Sequence, residues 1–103
     1  MAQLLRGAAG IMPACHVVDV LVQVYEAFQN GDIEKARQIH NDLMHLFILD
    51  DSGLWIQISK TILVRRRAIR NATLRTPGIL ELDAADLKEV EVALSRVQQW
   101  MTI

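Results

Sequence analysis

Arg6-Gly7-Ala8-Ala9-Gly10-Ile11-Met12-Pro13-Ala14 is short, apolar and punctuated by glycine, and it lies just ahead of the first helical pattern. Two glycines around two alanines permit a tight turn and close approach of another backbone. Ile11, Met12 and their neighbours then read as a brief strand buried on both faces, the kind found inside a parallel sheet. Pro13 lacks an N–H, which argues against a long central strand. A strand of this kind needs a neighbour on each edge, and no second convincing strand follows in the sequence. The expected fold is therefore all-α. It comprises about four helices in a bundle (residues 17–103) behind an N-terminal segment (residues 1–16) holding at most one short strand.

The helical patterns follow in order. Met1 to Leu5 reads as a last helical turn or a disordered start. Cys15 and His16 bridge to a first clear helix over about Val17–Asn30. Val17, Leu21, Val24 and Phe28, flanked by Val20 and Tyr25, form one wide apolar stripe there. Asn30-Gly31 ends it, since glycine accepts the left-handed conformation favoured just past a helix. Asp32 is a good N-cap for the second helix, Ile33–Leu49, and Glu34 suits the positive end of its dipole. Ile33, Ala36, His40, Leu43, Met44 and Phe47 share one of its faces. The short break makes the pair an antiparallel hairpin. Asp50-Asp51-Ser52-Gly53 is a turn. The third helix spans about Leu54–Ile69, with Trp55, Ile58, Ile62 and Leu63 inward. Thr76-Pro77-Gly78 interrupts the next stretch, because Pro77 disfavours the helical region at Thr76. Asp83 caps a fourth helix over about Ala84–Met101, with Leu87, Val90, Leu94, Val97 and Met101 on one side.

Composition narrows the class. The 103 residues suffice for one modest core. Only 5% are aromatic, so that core is aliphatic. A net charge of −1 gives no global field toward nucleic acid or an anionic membrane. The single cysteine, Cys15, rules out an intrachain disulfide framework and fits a reducing compartment. No apolar run reaches membrane-spanning length, and no secretory leader pattern is present. A cytoplasmic location is expected.

Candidate chemistry is sparse. His40 and His45 are five apart, whereas neighbours on a helix are three or four apart, and neither a cysteine pair nor an HExxH pattern supports a metal site. His16, His40 and His45 are expected at partly buried or solvent-edge positions, with no metal and no cofactor. Cys15 reads as a small buried thiol. Arg65, Arg66, Arg67, Arg70 and Arg75 form a basic cluster without interleaved aromatics. Three consecutive arginines point around a helix, so pairing with local carboxylates is expected and nucleic-acid binding is not. Gly7-Ala8-Ala9-Gly10 matches neither phosphate-binding glycine pattern.

The run GAAGIMPACHVVDVLVQVYEAFQNGDIEKARQIHNDLMHLF resembles the eighth strand and following helices of the dihydrodipicolinate synthase / N-acetylneuraminate lyase family. SKTILVRRRAI and NATLRTPGILELDAADLKEVEVAL resemble the family's C-terminal helices. The resemblance implies a (β/α)8 barrel enzyme whose lysine forms a Schiff base with pyruvate or a similar 2-oxo acid. It also implies that the strands carrying the catalytic lysine and tyrosine precede the part present here. Lys35, Lys60 and Lys88 fall on helices and do not match that lysine, so no catalytic residue is carried over. Met12 matches the position whose main-chain carbonyl lies near the Schiff-base site, and it is the one substrate-binding residue implied. A C-terminal lyase or aldolase fragment, inactive alone, is the expected function, with the missing barrel portion as partner. The alternative is a stand-alone helical interaction module that forms a homo-oligomer and so hides the apolar surface a barrel would cover.

Overall fold

The computed structural model describes residues 1–76 and 80–102. Five α-helices and no strand occur among them. They are α1 (Ala2–Leu5), α2 (Val18–Gln29), α3 (Ile33–Leu49), α4 (Trp55–Arg65) and α5 (Ala84–Val97). Single 3-10 turns precede α2 (Cys15–Val17) and follow α5 (Gln98–Trp100), and the segment Asp50–Leu54, kinked at Gly53 (φ +89°), joins α3 to α4. The fold is all-α, as its periodicity predicts. Among the described residues, no helix is long and apolar enough to cross a membrane.

Helix α3 is the central element, because it packs against both α2 and α5. Its bounds are those expected from the sequence. Asp32 caps it by accepting from the Lys35 amide at 3.1 Å. Ala36, Ile39, Leu43 and Leu46 are fully buried, a spacing of three and four that keeps them on one stripe. That stripe lies slightly round from the predicted face, for Ile33, His40, Met44 and Phe47 are only partly buried. The same core holds Val20, Leu21, Val24 and Ala27 of α2, Ile58 and Ile62 of α4, and Val90, Ala93 and Val97 of α5. Leu4 of α1 belongs to the same core. Asp83 and Asp86 form a reciprocal capping box at the start of α5 (3.0 and 2.8 Å).

Several boundaries and faces differ from expectation. The third helix stops at Arg65, short of Ile69, and the fourth gives way at Val97 to a 3-10 turn ending at Trp100. Trp55 (55% exposed) and Leu87 (37%) each sit in the first turn of a helix, at its outer side, and not in the core. Ile11 and Met12 are exposed, in contrast to the doubly buried strand expected, because no neighbouring strand exists among the described residues to cover them. Of the Thr76-Pro77-Gly78 turn, Pro77 and Gly78 lie outside the described residues.

Three helices end in the same way. After α1, Gly7 takes φ +95° while its amide bonds Leu4 O and the Ala8 amide bonds Gln3 O (both 3.0 Å). After α2, Gly31 takes φ +80°, with its amide on Phe28 O (3.0 Å) and that of Asp32 on Ala27 O (2.9 Å). After α4 the residue is Arg67, at φ +58°, with its own amide on Val64 O and that of Ala68 on Leu63 O (both 2.9 Å). All three are Schellman closures, which glycine fills without strain and an L-side chain does not. Gly7 is therefore a helix terminator here, not the start of a strand. Two opposite outcomes follow in chemical denaturation. Arg67→Gly is expected to stabilise the fold by roughly 0.5–1 kcal/mol. Gly31→Ala is expected to destabilise it by about 1 kcal/mol, from backbone conformation alone, since nothing stands within 4 Å of the added Cβ.

Candidate functional site

Residues Ala8–Ala14, which form no helix, turn, bend or strand, carry the one position singled out for binding. Their path is set at both ends. The Gly7 closure turns the chain out of α1, and the Ala14–Val17 bond (3.4 Å) turns it into α2. Between these, no amide from Ala9 to Met12 donates to a backbone carbonyl among the described residues. The side-chain tether there is the Tyr25 hydroxyl, which donates to the Ala9 carbonyl at 2.9 Å. The Met12 side chain is 98% exposed.

A groove runs along each side of this segment. One, of about 510 Å³, has Leu4, Ile11, Met12, Leu21, Val24 and Phe47 in its apolar wall. The other, of about 390 Å³, lies between Ile11 and the outer face of α2 at Val18, Val22 and Tyr25. The polar side of the first groove is made by His16, His40 and Asp50. His16 is 1% exposed, and its Nε2 lies 3.2 Å from Asp50 Oδ2. An ionised Asp50 only accepts, so Nε2 carries the hydrogen in this pair. His16 Nδ1 and Asp50 Oδ1 are buried without a partner among the described residues. His40 meets Phe47 edge to face, with ring centroids 6.4 Å apart. Burial holds its imidazole below the usual histidine value, and the amino group of Met1 adds to this.

Arg66 and Asp19 form a polar centre dense in hydrogen bonds. The Arg66 side chain is 7% exposed. Its guanidinium donates to Asp19 Oδ1 at 2.8 Å, to Asp19 Oδ2 at 2.5 Å and to the His16 carbonyl at 2.6 Å. Asp19 Oδ2 also accepts from the Thr102 amide (2.9 Å) and hydroxyl (3.1 Å). Burial by itself would raise the Asp19 pKa. The Arg66 and Thr102 bonds outweigh it and hold the carboxyl at about 2. Further along the same tail, Gln23 Nε2 donates to the Trp100 carbonyl, and Trp100 Nε1 donates to Asp42 at 2.8 Å. This centre ties α2, the end of α4 and the C-terminal tail together. Its role is structural.

The remaining candidates are scattered. Lys60 Nζ donates to the Thr73 carbonyl at 2.6 Å. None of Lys35, Lys60 and Lys88 lines the grooves beside Met12. His45 pairs with Glu89 at 3.2 Å. No group of three histidine, cysteine or acidic side chains able to hold a metal occurs among the described residues. Cys15 is exposed, in contrast to the buried thiol expected, because the 3-10 turn directs its neighbours His16 and Val17 inward instead. Arg65 pairs with Glu91 at 2.6 Å and Arg66 with Asp19, so consecutive arginines serve different carboxylates. The Asp19–Arg66 and His16–Asp50 pairs are 47 and 34 residues apart in sequence, and no local spacing signals them. Compared with the models of known protein families, with curated proteins and with solved structures, the chain gives no significant match.

Proposed function

We propose that this chain supplies the eighth strand and C-terminal helices of a Schiff-base-forming lyase or aldolase acting on pyruvate-type 2-oxo acids. The observation that carries the reading is the bare extended segment before α2. It has no backbone partner along Ala9–Met12 among the described residues, and α2 lies behind it. A segment of this kind followed by a helix would suit a barrel unit without its flanking strands, and it falls where the sequence resembles the family, at GAAGIMPACH. In such a barrel the active site lies at the C-terminal ends of the strands, where Met12 to Ala14 would stand. The Met12 carbonyl would border the Schiff-base site. The chemical step belongs to a lysine elsewhere in the barrel. Its amine condenses with the ketone carbon of pyruvate and expels water. The proposed location is the cytoplasm, in keeping with the lone, reduced Cys15.

A chimera decides the matter. Seven strands of a family lyase, followed by residues 6–103 of this chain, are expected to yield a pyruvyl adduct on the barrel lysine when the imine is reduced with borohydride. The same chimera lacking residues 6–14 is expected to yield none. A folded full chimera that gives no adduct overturns the reading. The chain alone is expected to stay unlabelled, and a pyruvyl adduct on Lys35, Lys60 or Lys88 counts equally against it.

A second reading, a stand-alone interaction module, is favoured by surface area. The chain exposes 6916 Å², against about 5,800 Å² for a folded monomer of its mass. Its radius of gyration is 14.6 Å, against about 13 Å for a compact domain of this length.

A further inference from the structure

We infer that the chain self-associates by pairing the extended residues Ala9–Met12 edge to edge with the same residues of a second copy. The inference rests on the proposed reading of the segment before α2 as a strand without neighbours, of which Ala9–Met12 lie beyond the α1 closure. It names the partner that takes the neighbour's place when the chain is alone.

Three observations support this occupant. First, an extended backbone with free amides is a template for another strand, and proteins that avoid such pairing protect the edge with charge, proline or a bulge. Here no Asp, Glu, Lys or Arg occurs from Gly7 to Val18. Pro13 alone interrupts, and it limits the ladder to the residues before it. Second, the flanks are apolar. Leu5, Ile11, Met12, Val18 and Val22 are all exposed. A surface that is apolar and uncharged is complementary to itself, as a two-fold interface requires. The net charge of −1 opposes such a contact little. Third, the chain as a whole exposes about 1,100 Å² more than a compact monomer of its mass, and a standard interface takes roughly 800 Å² from each partner.

Sedimentation equilibrium of the purified chain at micromolar concentration is expected to give twice the chain mass. Hydrogen exchange is expected to show amides 9–12 protected in a concentration-dependent way, which a contact made through side chains alone would not produce. Met12→Asp and Met12→Lys each place like charges across the two-fold axis. Each is expected to raise the dimer Kd at least about tenfold, a change worth about one decade on the affinity scale. The helical far-UV circular dichroism should be retained, since the Met12 side chain is 98% exposed. Leu80→Asp, on an exposed side chain elsewhere, should leave the dimer intact. A monomeric wild-type chain overturns the inference, as does a dimer that neither Met12 variant weakens or whose amides 9–12 exchange freely. The chimera is unaffected by these outcomes, because there the barrel covers the segment. Failure of the pairing and failure of the lyase reading are thus told apart.

Discussion

Replacing Arg66 with alanine is expected to destabilise the fold by about 3–5 kcal/mol, the usual cost of removing one partner from a buried ion pair. A domain of this size holds roughly 5–15 kcal/mol in all, so the variant should approach unfolding. The geometry explains the size of the effect. Three hydrogen bonds from one guanidinium join α4 to the first turn of α2 and to the His16 carbonyl. Their loss leaves the Asp19 carboxylate largely enclosed, with only Thr102 as partner among the described residues. Urea denaturation of the single variants and of Asp19→Leu/Arg66→Met measures this. The apolar pair should lose less than Arg66→Ala does, because it leaves no unpaired charge behind.

The same centre sets an acid limit. Asp19 has a folded value of about 2, against 3.8 for an unperturbed side chain. Its folded pKa is depressed, so its contribution is fully present above the unfolded value and is lost as pH falls through about 2. A tenfold difference in proton affinity between the folded and unfolded chain is worth about 1.4 kcal/mol, which makes the contribution about 2 kcal/mol. Asp19→Asn should lose this pH dependence, with a flatter stability profile between pH 4 and 2 than the wild type. A wild-type profile equally flat in that window would remove the proposed link between Asp19 and acid stability.

Leu43→Ala is expected to cost about 2–5 kcal/mol, from lost transfer energy plus the cavity left behind. Leu43 is fully buried at the middle of α3, the one helix that packs on both α2 and α5. A cavity there loosens two interfaces at once, and collapse toward it is resisted from both sides. Leu80→Ala, on an exposed side chain, should stay within about 0.5 kcal/mol. Thermal or urea denaturation compares the two. Similar losses at both positions would mean that α3 is not the centre of the core.

Local chemistry made much of the fold legible. Asp32 and Asp83 stand where side-chain oxygens can satisfy free helix amides, and both helices begin there. Gly31 ends α2 because glycine alone adopts positive φ freely. The end of α4 was hidden for the same reason reversed. Arg67 takes the position a glycine would mark, so the sequence suggests that the helix continues to Ile69. Trp55 and Leu87 have the right spacing for an apolar stripe, but the bundle turns the first turns of α4 and α5 outward. Periodicity reports which residues share a face. It does not report where along the helix a neighbour ends.

Of the candidate site, Met12 was legible only as a position. Local residue patterns specify four main helices, their caps, and an apolar stretch ahead of them that is uncharged from Gly7 to Val18. Those features depend on residues within a turn or two of one another. Tertiary structure alone decided that Arg66 reaches Asp19, that His16 is sealed against Asp50, and that Ile11 and Met12 face outward. These outcomes depend on which surfaces meet after the chain folds back on itself. A strand's backbone bonds are likewise made to another segment, so residues 9–12 alone do not specify a ladder, and none forms among the described residues.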